Sequence, residues 1–387
     1  MKKTYNRQLV FWSACLGMLL FGIGLIMLGS VLPDLRIKHS LDSVEAGTLF
    51  SLLPVGIIAG SLFFGPVCDR YGYRTLLAVS AFLMFAGFEG LAFTNTTWIL
   101  TASVVLFGLG GGAINGATNA VVADISVSGK GADLSILGVF FGIGALGMPL
   151  LLSLLKKSVD FEAVVAGTGV LALTAGILFA VVHFPAAKQA EGLSFKQAGA
   201  LFRDVTLLLI AFFLFFQSSL EGLINNWTTT YLMERTAAPK EAALMGLSAS
   251  VAGMTLMRLM IGSLFRKMAE KKLLFISFGI IFVALLLFSL SRSVIPAAAG
   301  LFLLGSGLAA GFPTMLGLVG NRYPDISGTA FSFVLVIGLL GNMLVNYIMG
   351  VVAENHGIEY LTWFTFVVLT MLIIIATVIF GRPRNKR

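Results

Sequence analysis

The residues of this chain with the clearest chemical potential are three polar side chains on one long apolar segment. The segment covers residues 205–232 and reads VTLLLIAFFLFFQSSLEGLINNWTTTYL, with Gln217, Glu221 and Asn225 at intervals of four. On an α-helix that interval places the three side chains on one face. The two amides can hydrogen-bond a polar solute, and the carboxyl can also take up a proton or pair with a cation.

The length and hydrophobicity of this segment predict a membrane-spanning helix. An ionised acid in the middle of such a helix costs roughly 2.5 kcal/mol or more on insertion scales. We therefore expect the stripe of Gln217, Glu221 and Asn225 to face a water-accessible cavity and to have a function there. Asn226 and Trp227 follow the stripe directly, and we predict that they belong to the same site.

Two other apolar segments carry amides at the same interval, namely Asn115 with Asn119 and Asn342 with Asn346. An amide supplies donors and an acceptor together, as a sugar hydroxyl does, so the two groups match each other. Trp227 could stack its face on the C–H surface of a sugar. The stripes therefore predict a binding site for a small neutral polyhydroxylated solute.

Each of these interpretations has a structural alternative. The amides could bond between helices and stabilise their packing, and Glu221 could be a protonated acid bonded to a neighbouring amide. Trp227 could mark a membrane interface. Arg258 is the one cation close to mid-depth, and a role in substrate binding stays open for it beside a pairing with an acid at a helix end.

The composition requires that most of the chain lies in a membrane. Of its 387 residues, 58% are hydrophobic and 11% are charged, whereas a soluble domain carries about 25% charged residues. The net charge of +8 comes from basic residues concentrated in alternate loops, which argues against nucleic acid and places both termini in the cytoplasm. We predict twelve spans, at about 9–32, 44–67, 74–94, 97–124, 133–155, 161–184, 204–233, 241–266, 271–291, 294–321, 326–353 and 358–381.

The chain also contains a weak internal repeat. An offset of 197 residues superposes four glycines on four others: Gly65 on Gly262, Gly108 on Gly305, Gly110 on Gly307 and Gly144 on Gly341. We therefore predict an all-α membrane protein of two pseudo-symmetric six-helix bundles, residues 1–185 and 204–387, joined by a cytoplasmic linker over 186–203. Such repeats are common among secondary transporters.

The segment between the second and third predicted spans reads GPVCDRYGYR over residues 65–74. It resembles the signature of the major facilitator superfamily, in which the two halves of the chain rock to expose a central site to each side in turn. Gly65 allows close helix packing and Gly72 a tight turn. Asp69, Arg70 and Arg74 can form a network across the helix ends that acts as a latch; the alternative is a simple basic loop of the positive-inside type.

Two more residues are predicted members of the latch. Asp124 ends the fourth predicted span and could pair with Arg70 or Arg74, and Arg258 could pair with an acid at a helix end. In the second repeat Arg266 stands at the position of Asp69, which puts a second latch in doubt.

Within the superfamily, the chain resembles the fucose–galactose–glucose symporter family. The resemblance is carried by GLGGGAINGATNAVVADIS (108–126), GVFFGIGALGMPLL (138–151) and EGLINNWTTTYL (221–232). It implies import of a sugar with a cation, usually the proton, and it implies that the amide-bearing spans line the cavity. The chain departs from this family at Asn115, which stands in place of an acid, and in the first span, which has no acid. Glu221 is therefore the predicted coupling residue.

The sequence indicates no enzyme site, cofactor or metal centre. His39, His183 and His356 lie at helix ends or in loops, without a cysteine cluster beside them. We predict a monomeric secondary transporter of the inner or plasma membrane that imports a sugar or polyol with a proton or sodium ion. The alternatives are a drug, amphiphile or metabolite exporter of the same fold and a membrane sensor that transports nothing.

Overall fold

A computed structural model describes residues 5–41, 43–155, 158–187, 201, 203–236 and 239–381. Within these ranges all regular structure is helical, and most of the predicted linker lies outside them. The helices are α1 (Arg7–His39), α2 (Ser43–Tyr71), α3 (Tyr73–Phe93), α4 (Thr97–Ile125), α5 (Lys130–Leu155), α6 (Phe161–Val181), α7 (Val205–Thr236), α8 (Lys240–Gly262), α9 (Glu270–Leu290), α10 (Val294–Leu308), α11 (Gly311–Arg322), α12 (Ser327–His356) and α13 (Tyr360–Gly381), with a short 3₁₀ turn at Pro324–Ile326.

Twelve segments of the described chain are long and apolar enough to cross a membrane, as the hydropathy pattern predicted. Ten of them each lie within one helix, and the span Pro324–His356 joins the 3₁₀ turn to α12. The remaining span, Val294–Arg322, consists of α10 and α11 together. The twelve-helix all-α class is thus confirmed, while the side of the membrane on which the termini lie stays a prediction.

The tenth span is broken where the sequence predicted one continuous helix. α10 ends at Leu308 and α11 begins at Gly311. Pro313 explains the break, because proline has no backbone N–H and its ring clashes with the carbonyl four residues earlier, here that of Ala309. The backbone around Ala309 is fully buried, so the break lies inside the protein.

The chain forms two compact units. Unit 1 comprises Met1–Ser126, Phe140–Phe195 and Tyr323–Ser332, and within it α4 packs against α2 and α3, and α3 against α6. Unit 2 comprises Val127–Val139, Lys196–Arg322 and Phe333–Arg387, and within it α10 packs against α8 and α9, and α7 against α13. α5 and α12 contribute residues to both units. The predicted bundle limits at 185 and 204 stay a prediction.

The repeat detected in the sequence corresponds to equivalent helix contacts in the two units. In unit 1, a side chain at Gly110 on α4 would collide with the backbone carbonyl of Ser80 on α3. In unit 2, a side chain at Gly307 on α10 would meet the carbonyl of Ser277 on α9, at 3.0 Å. Both partners of the second contact follow those of the first by 197 residues, so each unit uses the same close approach of two helices.

Candidate solute-binding site

The stripe on α7 becomes steadily more exposed along the helix. Gln217 is buried, with 1% of its surface exposed. Glu221, one turn further, is partly exposed, and Asn225 is exposed. The stripe therefore leads from the buried interior of unit 2 to an accessible surface.

Gln217 connects Glu221 to the break between α10 and α11. Its Nε2 donates to Glu221 Oε1 at 3.0 Å and to the backbone carbonyl of Leu308 at 3.0 Å. The Leu308 carbonyl lies at the end of a helix and has no continuing helical turn to supply a donor. Gln217 supplies that donor and at the same time fixes the Glu221 carboxyl. A bond between Glu221 and a neighbouring amide is the structural alternative that the sequence predicted for this acid, and the structure contains that bond.

Arg258 on α8 is the deep cation of unit 2, and 8% of its surface is exposed. Its Nη1 donates to the carbonyl of Gly138 at 3.3 Å, and its Nε is buried without a hydrogen-bond partner in the described part of the chain. The guanidinium and the Glu221 carboxylate attract each other. Arg258 thus places a positive charge near the partly exposed Glu221 carboxyl, inside a membrane span where charges favour a partner of opposite sign.

The amides of α7 and α12 meet at Asn346. Asn346 Oδ1 accepts from Asn226 Nδ2 at 3.1 Å and from Trp227 Nε1 at 3.1 Å. Asn346 Nδ2 donates to the backbone carbonyl of Asn342 at 2.8 Å and to Asn342 Oδ1 at 3.0 Å. These four residues therefore form one network. Its bonds between α7 and α12 are the helix-to-helix contacts that the sequence predicted as the structural alternative to solute binding.

The amides of α4 form a similar arrangement in unit 1. Asn119, with 7% of its surface exposed, donates through Nδ2 to the carbonyl of Asn115 at 2.8 Å and to its Oδ1 at 3.1 Å. In the described part of the chain the NH₂ group of Asn115 donates no hydrogen bond, and Asn115 is partly exposed. Asn115 therefore presents hydrogen-bond donors on the surface of unit 1.

The acid of the signature motif caps a helix. Asp69 is 2% exposed and accepts from Thr329 N at 2.9 Å, from Gly328 N at 3.3 Å and from Thr329 Oγ1 at 2.7 Å. Both backbone amides lie in the first turn of α12, where four N–H groups lack helical partners and negative charge is favourable. Gly72 adopts a positive φ of 81° directly before α3, the tight turn that the motif predicted.

The other predicted latch residues of unit 1 lie on α2, α3 and α4. Arg74 Nε donates to the carbonyl of Ala180 on α6 at 2.6 Å, and Arg70 is exposed. Asp124 Oδ2 accepts from the hydroxyl of Tyr73 at 2.5 Å. The Tyr73 contact was not foreseen, because the sequence drew attention to charges and not to a neutral hydroxyl.

The second repeat makes a corresponding contact with opposite charge. Arg266, the counterpart of Asp69, pairs with Asp133 Oδ1 at 2.7 Å. Asp133 lies in the first turn of α5, which begins at Lys130, just as α12 begins 197 residues later at Ser327. The sequence put a second latch in doubt because position 266 holds an arginine and not an acid. The offset of 197 relates the start of α12 to the start of α5, where the acid Asp133 lies.

Two glycines provide equivalent room for these contacts. A Cβ at Gly65 on α2 would lie 2.7 Å from Thr329 Cα, and a Cβ at Gly262 on α8 would lie 3.1 Å from the carbonyl oxygen of Ala132. Thr329 follows Ala132 by 197 residues. Each glycine therefore admits the first turn of a partner helix within its own unit.

Comparisons with known proteins agree with this architecture. The family model described as Major Facilitator Superfamily matches residues 14–334 and 238–387. The chain is 25% identical to the multidrug resistance protein MdtG of Proteus mirabilis over 97% of its own length and 96% of that protein. It is 21% identical to the glucose/mannose transporter GlcP of Bacillus subtilis, over 95% of this chain and 94% of that one.

The fold is similar to that of a solved transporter. The crystal structure of FucP in the outward conformation superposes with a TM-score of 0.81 at 17% identity, covering 95% of this chain and 98% of FucP; FucP is described as the fucose:proton symporter of E. coli. The twelve spans, the paired helix contacts and the match of the family model lead to one conclusion: the chain belongs to the Major Facilitator Superfamily, and it is a multi-pass transporter of the plasma membrane.

Proposed function

We propose that this protein is a secondary active transporter that imports a small neutral sugar or polyol together with a proton or a sodium ion. The two halves of the chain would rock to expose the site to each side of the membrane in turn. The observation that carries the proposal is the α7 stripe, in which exposure rises from Gln217 through Glu221 to Asn225 inside a membrane span.

Exposed amides inside a span indicate contact with water. Asn225 and Asn226 are both exposed on α7. In hydrocarbon their unpaired donors and acceptors would cost several kcal/mol, on the order of 2–7 for each group. A water-filled cavity avoids that cost and gives a polar solute access to the same amides.

The charges of unit 2 favour a neutral solute. Arg258 is the buried cation near the stripe, and its charge is opposed by that of Glu221. An anionic solute would have to compete with this internal carboxylate for the guanidinium. A solute that offers hydroxyl groups has no such competition and can bond to the amides of the site.

Glu221 is the proposed coupling residue because it is the carboxyl among the predicted solute-binding residues. Its Oε1 is held by Gln217, and Arg258 is its counter-charge. A proton bound to Glu221 would cancel its attraction for Arg258, so cation binding has a direct electrostatic consequence in unit 2. The description of FucP as a fucose:proton symporter supports this coupling by analogy.

The Asp69 contacts support the proposed latch. The carboxylate bonds to two backbone amides and a hydroxyl in the first turn of α12. If that turn moves away from α2 during transport, these bonds must break. They would therefore stabilise the one conformation in which α2 and this turn stay together.

Transport assays in proteoliposomes test the proposal. We expect Glu221→Gln to abolish accumulation of a labelled sugar driven by a proton or sodium gradient, and to leave counterflow exchange intact. Glu234→Gln is the matched control, since Glu234 lies exposed on the same helix, and it should keep both activities. Sugar-induced proton or sodium uptake that survives in Glu221→Gln would refute the coupling role.

A thermal-shift screen identifies the solute. Sugars and polyols are added to the purified protein with and without sodium and across a range of pH. A stabilising sugar or polyol names the class, and an effect of sodium or pH on that stabilisation indicates the ion. If no sugar or polyol stabilises the protein or is transported, the proposed function is wrong.

A second candidate function is the export of drugs or amphiphiles. It is favoured by the similarity to MdtG, which extends over 97% of this chain. Such a protein would be stabilised by amphiphilic cations and not by sugars, and inverted vesicles would accumulate the compound. The exposed amide of Asn225 inside the span argues for the sugar. A protein that binds neither class and transports nothing would be a sensor.

A further inference from the structure

We propose that Asn346 is a positioning residue that fixes Trp227, and that the fixed indole is the surface on which the ring of a pyranose packs. This inference rests on the proposed function and narrows its solute from sugars and polyols to cyclic sugars. Asn346 then acts through Trp227 and is not itself a ligand of the solute.

The hydrogen-bonding capacity of Asn346 is fully used within unit 2. An asparagine side chain offers two N–H donors and an oxygen that accepts two bonds. Asn346 Oδ1 accepts from Asn226 and Trp227, both at 3.1 Å, and its Nδ2 donates twice to Asn342, at 2.8 and 3.0 Å. A solute hydroxyl could bond to this amide only by displacing one of these four partners.

The indole of Trp227 has two fixed points on α12. Its N–H is held by Asn346. The adjoining edge of its six-membered ring lies over Gly350, where a Cβ would be 3.6 Å from Cζ2 and 3.7 Å from Cη2. Because Gly350 is one helical turn beyond Asn346, about 6 Å along the axis, the ring lies along α12. Trp227 remains partly exposed, so part of its surface is open to a solute.

The close approach of α7 to α12 keeps this arrangement in place. A Cβ at Gly222 would lie 2.5 Å from both Asn342 Oδ1 and Asn346 Nδ2. The absence of a side chain at Gly222 therefore admits the two amides against the backbone of α7. The indole is consequently pre-organised, which lowers the entropy cost of binding a rigid solute.

A fixed aromatic plane selects for the shape of the solute. A pyranose ring presents several C–H groups on one flat face, which can pack on the face of an aromatic ring. An acyclic polyol with the same number of hydroxyls presents no continuous apolar face and must lose rotational freedom to form one. The exposed amide of Asn225 on the same helix can bond to the hydroxyls at the rim of the ring.

Fluorescence tests the positioning role without any solute. Trp12, Trp98 and Trp363 are replaced by phenylalanine so that Trp227 is the sole tryptophan, and the indole is excited selectively at wavelengths that tyrosine does not absorb. We expect Asn346→Ala to shift its emission to longer wavelength and to raise acrylamide quenching, because the indole is released to water. Asn226→Ala removes the other donor to Asn346 Oδ1 and leaves the bond from Trp227, so it should keep the parent spectrum. Unchanged emission and quenching in Asn346→Ala would overturn the proposal.

A double-mutant cycle on pyranose binding separates positioning from direct contact. Loss of one hydrogen bond predicts about fivefold weaker binding for Asn346→Ala. If Asn346 acts through Trp227, the same change has no further effect in the Trp227→Leu background. Multiplicative effects of the two changes would show that Asn346 contacts the solute, and would overturn its role as a positioning residue.

Two further measurements complete the test. Gly350→Leu displaces the indole without touching Asn346 and should weaken pyranose binding as Asn346→Ala does; unchanged binding would overturn the fixed plane. The hexitol with the same hydroxyl pattern should bind more weakly than the pyranose, and equal affinity would overturn the shape selection. If no sugar binds at all, the proposed function fails, while the fluorescence result still decides whether Asn346 positions Trp227.

Discussion

Asp69 gives the most quantitative prediction, because the structure defines what its removal leaves behind. Asp69→Ala deprives two backbone amides and the Thr329 hydroxyl of a buried acceptor, at a residue that is 2% exposed. A hydrogen bond to a charged group contributes about 1.5–3 kcal/mol, and loss of a helix cap costs about 1. Since the bonds share one carboxylate and are not additive, we expect a loss of about 3 kcal/mol in the free energy of unfolding.

Asp69→Asn separates the hydrogen bonds from the charge. The amide oxygen can still accept from Thr329, but the NH₂ group cannot accept from Gly328 N. The expected loss is therefore about 2 kcal/mol, about 1 for the charge at a helix N-terminus and about 1 for the lost hydrogen bond. Gly328→Ala provides a second route, because its Cβ would lie 2.8 Å from Asp69 Oδ1 and push the carboxylate away.

Equilibrium unfolding in mixed micelles measures these differences, with Arg70→Gln as an exposed control in the same motif. A loss below about 0.5 kcal/mol for Asp69→Ala, within the range of ordinary surface substitutions, would refute the capping argument. So would an Asp69→Asn variant that is as unstable as Asp69→Ala.

Two other predictions concern charges at helix ends. Arg266→Asp should lower the melting temperature, because it places a second acid beside Asp133. Adding Asp133→Ala should restore part of the loss, since the new carboxylate at position 266 can then cap α5 as Asp69 caps α12. A double variant that melts at a lower temperature than Arg266→Asp would contradict this. Burial of His39, whose Nε2 has no partner among the described residues, lowers the pKa of its imidazole below the usual 6.5, and Lys38 beside it lowers this pKa further. Protonation of His39 therefore favours the unfolded state. The contribution of His39 to the free energy of unfolding should be fully present above about pH 6.5 and should decrease as the pH falls below that value. In thermal scans, the melting temperature of His39→Gln should fall less at low pH than that of the parent, and an equal fall would contradict the assignment.

The sequence predicted the helices well and their mutual contacts poorly. Hydropathy located the twelve spans because each must be apolar over its whole length. The break at Leu308 was missed, although Pro313 signalled it, because hydropathy does not register a missing N–H. The glycine offset was informative because a glycine in a packed helix marks a close neighbour, as Gly110 does.

The partners of the candidate site residues depend on the register between helices, which a single sequence does not reveal. The interval of four placed Asn342 and Asn346 on one face, but nothing in the chain indicated that Trp227 and Asn226 would both bond to Asn346. Likewise, Asp69 was expected among basic side chains, and the backbone of α12 is a partner that no side-chain pattern encodes. Arg258 and Glu221 were identified separately, and their attraction emerged only when α7 and α8 were packed.

The contacts at Asp69 and Arg266 show that one helix junction can be built with either charge. The glycines at 65 and 262 still admit a helix start at corresponding places, while the charge at the junction has changed sign. The first turn of α12 is bound by an acid, Asp69, that accepts from its backbone amides. The first turn of α5 is bound by an arginine, Arg266, that pairs with an acid in that turn, Asp133. The two repeats therefore share the shape of this junction and differ in its charge, so close helix packing here does not depend on one particular ion pair.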